Sequence, residues 1–269
     1  MEATDKVFAG PVPQIYEQLL VPVIFQPYAE DLAARIATAR PARILEIAAG
    51  TGALTRAMVT HLDGVSIVAT DLNPAMLDLA AARFAGNDRV VCQHADALEL
   101  PFPDESFDVV ACQFGAMFFP DKPKGYAEAR RVLKPGGRFL FNVWDTVERN
   151  DFTAVMLDVL AELFPADPPR FLARTPHGYH DVAMIELDVM AGGFPLPAIE
   201  RVEKRSRAQT ALDVATGLCQ GTPTRGEIEA RGAPGLAAAT EAVAEALERR
   251  FGSGPIEGAL SAFVVSAER

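Results

Sequence analysis

Short apolar runs alternate with segments of helical periodicity along most of the chain. Ile44, Leu45 and Ile47 predict a buried strand, and the recurrence of apolar residues at helical spacing over 54–62 predicts a helix that Gly64 ends. Further strands are predicted at 65–70, 89–93, 107–114, 138–144, 199–207 and 256–267, and further helices at 31–39, 74–85, 121–133, 152–163, 181–192 and 236–251. This alternation predicts an α/β fold, a parallel sheet with helices on both faces.

Two segments interrupt that alternation. Residues 7–40 are apolar, and Pro11, Pro13, Pro22 and Pro27 predict that they form short pieces before a helix at 31–39. They either pack on the core or close over a ligand site, with Tyr16 or Tyr28 facing inward. Residues 145–180 are irregular around one amphipathic helix, and 211–231 are a mixed insertion.

A glycine turn joins the first predicted strand to its helix. Gly50 and Gly52 lack side chains, so their backbone can approach a ligand, and the helix start presents free N–H groups. Glu46 ends the strand and adds a carboxylate to the same space. The turn predicts a site for a nucleotide-like cofactor.

Polar residues follow the other predicted strands as well. Asp71 ends the second strand 19 residues after Gly52, the spacing at which a βαβ fold places a carboxylate on ribose hydroxyls. The alternative is a loop-start acid that only solvates a turn. Asp96 and Gln113 follow the third and fourth strands. Ligands of parallel sheets bind at the carboxyl ends of the strands, so this edge is the predicted site.

Charge and composition exclude several classes of function. A net charge of −11 argues against binding to nucleic acids or anionic membranes, which requires basic surfaces. The sequence contains no run of eighteen apolar residues, so no membrane span is predicted, and the first residues lack a signal-peptide pattern. The three cysteines are scattered, and no metal-binding motif is present. These features predict a cytoplasmic protein without a metal.

Five sequence blocks together resemble the class I S-adenosylmethionine-dependent methyltransferases, in the small-molecule branch similar to ubiquinone and menaquinone biosynthesis enzymes. The blocks are Leu45–Gly52, Asp71–Leu77, Ala95–Ala97 with Leu100–Phe102, Phe107–Val110 and Leu133–Arg138. The resemblance covers residues 44–144 closely and implies a Rossmann-like, doubly wound, seven-stranded sheet whose last strand is antiparallel. Ala48 replaces the first glycine of the family's loop. Because alanine is small, we expect the cofactor still to approach, with the backbone at ordinary dihedral angles.

The resemblance implies S-adenosylmethionine as the cofactor, with S-adenosylhomocysteine as product, and assigns roles to residues. Asp71 would hold the ribose hydroxyls, Leu72 would pack on the adenine, and Asp96 with the Ala97 backbone would bind the adenine edge. The amino-acid tail would lie along the turn, near Glu46 and the Gln113 carbonyl. The cofactor-binding candidates are Glu46, Ala48, Gly50, Gly52, Asp71, Leu72, Met76, Asp96, Ala97, Gln113 and Phe114.

Two other functions compete with methyl transfer. A fold that binds NAD(P) has a third glycine near position 55, where this chain has Thr55. A protein could also bind S-adenosylmethionine without catalysing a reaction. The absence of an Asn/Asp-Pro-Pro-Tyr motif after strand four argues further against methylation of nucleic acids.

Methyl transfer requires positioning more than a catalytic side chain, since alignment alone supplies about 7–11 kcal/mol of a barrier. His177 and His180 are candidate bases, with Tyr179 between them as a candidate substrate contact. The simpler interpretation is that these residues cap a helix or lie in a surface loop.

The predicted organisation has four parts. They are an N-terminal helical cover at 1–40, a cofactor-binding core at 41–145, a cover insertion at 146–195 and the C-terminal part of the sheet, with a helical insertion, at 196–269. Apolar cover segments predict a small hydrophobic acceptor, methylated at an O, C or N atom. A homodimer is also considered.

Overall fold

The computed structural model describes residue 5 and residues 8–269, and its described residues form two compact units. The first, called here the sheet unit, comprises Tyr28–Trp144, Tyr179–Val202 and Ala262–Arg269. The second, called here the helical unit, comprises the described residues up to Pro27, Asp145–Gly178 and Glu203–Ser261. Residues 1–4 and 6–7, which belong to the predicted cover at 1–40, lie outside the described residues.

A seven-stranded sheet runs through the described residues in the order β3-β2-β1-β4-β5-β7-β6. The strands are β1 Arg43–Ile47, β2 Ser66–Asp71, β3 Val90–His94, β4 Phe107–Gln113, β5 Leu133–Trp144, β6 Ala198–Ala208 and β7 Ile256–Glu268. The first five strands are parallel, whereas β7 pairs antiparallel with β5 through residues 138–144 and 262–268. The predicted Rossmann-like α/β sheet, including its antiparallel last strand, is therefore confirmed.

Helices cover both faces of this sheet within the sheet unit. They are α2 Gln26–Thr38, most of which belongs to this unit, α3 Ala53–His61, α4 Pro74–Arg83, α5 Lys122–Val132 and α8 Val182–Ala191. Thr55 of α3 bonds to Glu46 and Tyr28 of α2 packs on Trp144, so α2 and α3 cover one face. Tyr126 of α5 packs on Phe141, whose side chain points to the other face.

Most of the helical unit consists of helices that the sequence predicts only in part. They are α1 Val12–Ile15, α6 Asp151–Leu163, α7 Phe171–Arg174, α9 Ala211–Gln220, α10 Thr224–Arg231 and α11 Leu236–Phe251. The mixed insertion expected at 211–231 is two helices, α9 and α10, separated near Gly221. Residues of α11 pack against α9 and α6 and form the core of this unit.

The prediction that prolines divide residues 7–40 into short pieces is wrong. A π-helical stretch, Tyr16–Phe25, joins α1 to α2, and Pro22 lies inside it. Proline removes one backbone donor and crowds the carbonyl of the preceding turn of an α-helix, and the wider π-helical turn relieves that crowding. Pro27 falls in the first turn of α2 and Pro13 near the start of α1, where proline is tolerated.

One predicted helix stop also belongs to a strand. Lys134, Pro135, Gly136 and Gly137 follow α5 as expected, but β5 already begins at Leu133. Gly136 has a φ of 75°, which is accessible to glycine, so the backbone can turn here without leaving the strand. The amide of Gly136 donates to the Arg269 carbonyl.

Candidate functional site

The turn after β1 is built from left-handed backbone conformations. Ala48, Gly50 and Gly52 have φ values of 55°, 58° and 84°. A Cβ atom on Gly52 would lie 2.8 Å from the Phe84 ring, so only glycine fits there. The expectation that Ala48 keeps ordinary dihedral angles is wrong, because the turn forces this alanine into a region that costs an L-residue about 1–2 kcal/mol.

Ala48 lies against the loop that follows β4. A Cβ atom on Gly115 would lie 2.4 Å from the Ala48 Cβ and 2.9 Å from the Cys112 Sγ. The methyl group of Ala48 therefore fills the space that the absent side chain of Gly115 leaves. The two loops at the carboxyl edge of β1 and β4 fit each other through this pair.

The start of α3 leaves polar groups available at the turn. Gly52 is the N-cap and provides no side-chain hydrogen bond to the first amides of the helix. The Thr51 hydroxyl is buried and has no hydrogen-bond partner within residues 5 and 8–269. Buried polar groups are usually paired, and uncapped helix N-termini attract negatively charged groups. The turn therefore has the donors that a carboxylate needs.

Glu46 carries a buried carboxyl group directly beneath the turn. Thr55 Oγ1 donates a 2.5 Å hydrogen bond to its Oε2 atom. Burial raises the pKa of the Glu46 carboxyl to about 8, with a further upward contribution from Asp71, although the bond from Thr55 opposes the rise. In the protein without a bound cation, Glu46 is therefore mostly protonated at neutral pH.

Asp71 connects the turn to the end of β2. Its Oδ2 atom accepts from the Gly50 amide at 2.7 Å and its Oδ1 atom accepts from the Asn73 amide at 2.7 Å. Burial raises the pKa of the Asp71 carboxyl above its ordinary value, against the lowering effect of these amides. Asp71 thus fixes the glycine turn at the position that the sequence assigned to ribose.

The candidates for the adenine site lie at the ends of β2 and β3. Leu72 is exposed, at 45%, and its carbonyl oxygen lies 3.1 Å from His94 Nε2. Asp96 is exposed and its Oδ1 accepts from the Leu98 amide, whereas Ala97 is buried. The structure therefore leaves an apolar side chain and a carboxylate accessible at this edge.

Met76 covers the turn from the direction of α4. It is buried, and its Cε atom lies 3.7 Å from the position that a Cβ atom on Gly50 would take. A larger residue at position 50 would therefore meet Met76. The packing of α4 thus sets the position of Met76.

Gln113 ends β4 and Phe114 follows it, as part of an aromatic cluster. Phe114 has a φ of 52°, and its ring stacks on Trp144 at 3.8 Å between centroids. The Tyr28 ring meets both rings edge-on, at 5.4 and 5.6 Å. We call Tyr28, Phe114 and Trp144 the aromatic trio. Its members are all buried in the sheet unit.

The three predicted substrate tyrosines lie in different surroundings. The Tyr28 hydroxyl donates to the Val202 carbonyl at 2.9 Å. The Tyr179 hydroxyl donates to Asp188 at 2.8 Å and accepts from Tyr126, so this side chain joins α5 to α8. Tyr16 packs on Phe25 in the helical unit, with ring centroids 4.9 Å apart. Contact of any of them with a substrate stays a prediction.

His177 is buried rather than part of a surface loop, so the simpler interpretation is wrong for this residue. Its exposed fraction is 5%, and its Nδ1 atom lies 2.7 Å from the Asp145 carbonyl oxygen. His180 is partly exposed and precedes Asp181, whose carboxylate caps α8. A buried main-chain contact therefore holds the His177 ring in place.

Sequence reasoning missed one residue beside the carboxyl edge of the sheet. Asn142 lies in β5, in register with Gln113, and its side chain is fully buried. A signal was present, because an amide interrupts the apolar run from Phe139 to Trp144.

Comparison with known proteins assigns the same region to a family. Residues 45–141 match the model described as "Methyltransferase domain". The demethylmenaquinone methyltransferase of Clavibacter sepedonicus is 43% identical over 118 residues, which are 42% of this chain and 47% of that protein. The ubiquinone/menaquinone biosynthesis C-methyltransferase UbiE of Burkholderia mallei is 37% identical over 150 residues, 52% of this chain and 62% of that protein. The chain thus spans about half the length of the curated relatives it matches.

Solved structures share the fold at low sequence identity. Phosphoethanolamine N-methyltransferase 2 of Haemonchus contortus, solved with S-adenosylhomocysteine, is 17% identical, with a TM-score of 0.61 over 98% of this chain and 59% of that chain. The YcgJ protein of Bacillus subtilis is 20% identical, with a TM-score of 0.56 over 90% of this chain and 98% of that chain. The match of residues 45–141 to a methyltransferase domain agrees with the resemblance seen in the sequence.

Proposed function

We propose that this chain, whose residues 45–141 are a methyltransferase domain, transfers a methyl group from S-adenosylmethionine to an O, C or N atom of a small hydrophobic molecule. The observation that carries the proposal is that the matched domain contains the turn, Asp71 and Asp96 together at one edge of the sheet. The curated relatives are named as methyltransferases acting in quinone biosynthesis, which supports this reaction class.

The residues present fit this cofactor. Its amino-acid tail carries a carboxylate that suits the uncapped start of α3 and the unpaired Thr51 hydroxyl. Its ammonium group suits Glu46 and the Gln113 carbonyl, and its ribose suits Asp71. When bound, the cofactor supplies a methyl group on a cationic sulfur. The chain's own contribution is to hold that group in line with the acceptor atom.

A dinucleotide fits the same turn less well. Thr55 stands where such a fold needs its third glycine, and its buried hydroxyl is already bonded to Glu46. A buried acid beneath the turn also repels the negative charge of a pyrophosphate once it ionises. The turn therefore favours an amino-acid tail over a dinucleotide phosphate.

The acceptor contacts form a second part of the proposal. We assign the N-terminal segment at 1–40 and the segment at 146–195 to an acceptor cover, with Tyr16, Tyr28 and Tyr179 as candidate contacts. His177 is the stronger candidate base, because its buried ring is oriented by a hydrogen bond from Nδ1–H to the Asp145 carbonyl. Replacement by glutamine, with turnover followed against pH, tests this role.

We further propose a cytoplasmic location and assembly into a homodimer. Cys92, Cys112 and Cys219 are all free thiols, which suits a reducing compartment. No helix in the described part of the chain is long and apolar enough to cross a membrane. Size-exclusion chromatography with light scattering tests the dimer.

Calorimetric titration with S-adenosylhomocysteine, NAD and NADP tests the cofactor. We expect binding of S-adenosylhomocysteine alone, and its loss in Asp71→Ala, because the variant removes both the ribose ligand and the bonds that fix the turn. Asp78→Ala is the matched control, since Asp78 is an exposed acid on α4. Failure of the wild type to bind S-adenosylhomocysteine would overturn the proposal, and tight NAD(P) binding would replace it with a nucleotide-dependent oxidoreductase. Binding without transfer to any acceptor would indicate a protein that only binds the cofactor.

A further inference from the structure

Asn142 is a fully buried amide whose polar atoms are unsatisfied. Its side chain has 0% exposure, and neither Nδ2 nor Oδ1 has a hydrogen-bond partner among the described residues. Leaving buried polar groups unpaired costs about 1–3 kcal/mol each. An apolar residue of similar volume would avoid this cost, so the amide is unfavourable for folding in the protein without ligand.

The position of Asn142 places this amide beside the proposed cofactor site. Asn142 pairs in register with Gln113 on the parallel strand β4, about 4.8 Å away across the ladder. The Asn142 carbonyl accepts from the Phe114 amide at 3.2 Å. The residue whose backbone is proposed to contact the cofactor's ammonium is therefore the direct neighbour of Asn142.

The face of the sheet on which Asn142 lies also carries an aromatic group. Side chains alternate along a strand, so Asn142 and Trp144 point to the same face, and Trp144 stacks on Phe114. Val264 of β7 flanks Asn142 on its other side. An amide with apolar and aromatic neighbours has the composition of small-molecule sites, in which few polar groups orient a ligand.

We propose that Asn142 binds an oxygen atom of the methyl acceptor. Its Nδ2–H donates to a carbonyl, phenol or phenolate oxygen, and its Oδ1 accepts from a hydroxyl group. The acceptor therefore carries an oxygen atom, and Asn142 decides between it and its oxygen-free analogue. This inference rests on the proposed function, because it places the acceptor beside the cofactor.

A site built to bind an oxygen rejects analogues that lack it, because its own buried groups then stay unpaired. The amide does not titrate, so it positions the acceptor but takes no proton from it. Proton removal, where the acceptor needs it, falls to another group.

Equilibrium dialysis of protein saturated with S-adenosylhomocysteine, against 1-naphthol and naphthalene, tests the inference. We expect the wild type to bind 1-naphthol at least about tenfold more tightly than naphthalene. In Asn142→Leu this preference should vanish through weaker binding of 1-naphthol, with naphthalene and S-adenosylhomocysteine bound as before. Asn142→Val provides a second apolar variant in case leucine does not fit.

Asn150→Leu is the matched control. Asn150 is equally buried, but its Nδ2 donates to the Thr146 and Ser261 carbonyls and its Oδ1 accepts from the Ser261 amide. Urea unfolding should show a clear loss of stability in Asn150→Leu and none in Asn142→Leu, while the control keeps the preference for 1-naphthol.

Three results would overturn the inference. They are a wild type without the preference, an Asn142→Leu variant that retains it, and an Asn142→Leu variant as destabilised as Asn150→Leu. In each, intact binding of S-adenosylhomocysteine would leave the proposed function standing. A wild type that does not bind S-adenosylhomocysteine would overturn both.

Discussion

The carboxyl edge of the sheet has two halves of different construction. At β1 and β2, the two carboxyl groups are paired inside the protein, as Asp71 accepts from the Gly50 and Asn73 amides and Glu46 from the Thr55 hydroxyl. At β4 and β5, aromatic rings pack together and the Asn142 amide is unpaired. The first half has its carboxyl groups in place before any ligand binds and leaves only the Thr51 hydroxyl unpaired among its described side chains, whereas the second leaves both polar atoms of a buried amide unpaired.

This difference fits a division of labour in the proposed reaction. The cofactor is the same in every turnover of every such enzyme, so a fixed turn reduces the entropy lost on binding it. The acceptor differs between enzymes, so its recognition depends on individual side chains rather than on a motif. Substitutions in the two halves should therefore have different consequences for stability and for cofactor binding.

The largest expected effect is a change in the pH dependence of stability in Glu46→Gln. Burial raises the pKa of Glu46 from 4.5 to about 8, so the folded protein holds a proton that the unfolded chain releases. The stability from this neutral carboxyl is complete below pH 4.5 and is lost as the pH rises through 8, by on the order of 4 kcal/mol.

Urea unfolding of wild type and Glu46→Gln from pH 5 to pH 8.5 measures this loss. We expect the wild type to lose stability relative to the variant across that range, while Asp71 contributes the same trend to both proteins. Parallel curves for the two proteins would contradict the raised pKa. Affinity of the wild type for S-adenosylhomocysteine should rise over the same range, because its ammonium group favours the ionised carboxylate.

The next effect is expected at the contact between the two halves. Gly115→Ala should destabilise the protein by about 3 kcal/mol, because its Cβ would overlap the Ala48 methyl group and approach the Cys112 Sγ. Ala48→Gly should instead stabilise by about 1 kcal/mol, since glycine adopts the left-handed backbone without strain.

The double variant separates these two causes. Combined with Ala48→Gly, Gly115→Ala should cost clearly less than the sum of the two separate changes, because one of the overlapping methyl groups is gone. Gly226→Ala, at a position open to solvent within α10, controls for the substitution itself. Additive free energies of unfolding would show that the loops do not meet through this pair.

The smallest effect is expected in the aromatic trio. Tyr28→Phe removes the hydrogen bond to the Val202 carbonyl but keeps the ring against Phe114 and Trp144. We expect a loss of about 1 kcal/mol in the free energy of unfolding and unchanged affinity for S-adenosylhomocysteine. A tenfold or greater change in that affinity would show that the two halves are coupled.

The half at β1 and β2 was largely predictable from the sequence, because its backbone geometry requires particular residue types at particular spacings. Gly50, Gly52 and Asp71 occupy fixed spacings, and Asn73 before Pro74 predicted the cap and first turn of α4, which the structure contains. Ala48 was the exception. Its left-handed conformation depends on the fit with Gly115, which lies 67 residues away in the chain.

The half at β4 and β5 was less predictable, because it depends on which side chains meet across strands. The sequence indicated Gln113 and Phe114 but not the stacking of Phe114 on Trp144 or the isolation of Asn142. Likewise, Pro22 predicted an interruption that a π-helical stretch accommodates. In each case the outcome depends on local geometry that residue types do not specify.

The order of segments along the chain has a consequence for biosynthesis. β5 belongs to the sheet unit, but its antiparallel partner residues, 262–268, are synthesised only after the whole helical unit. During translation, the N–H and C=O groups on this side of β5 therefore remain without their final hydrogen-bond partners. An open strand edge of this kind can associate with other chains. We expect molecular chaperones to be needed mainly until β7 pairs with β5. Nascent chains halted before residue 262 should aggregate more readily than those that include β7.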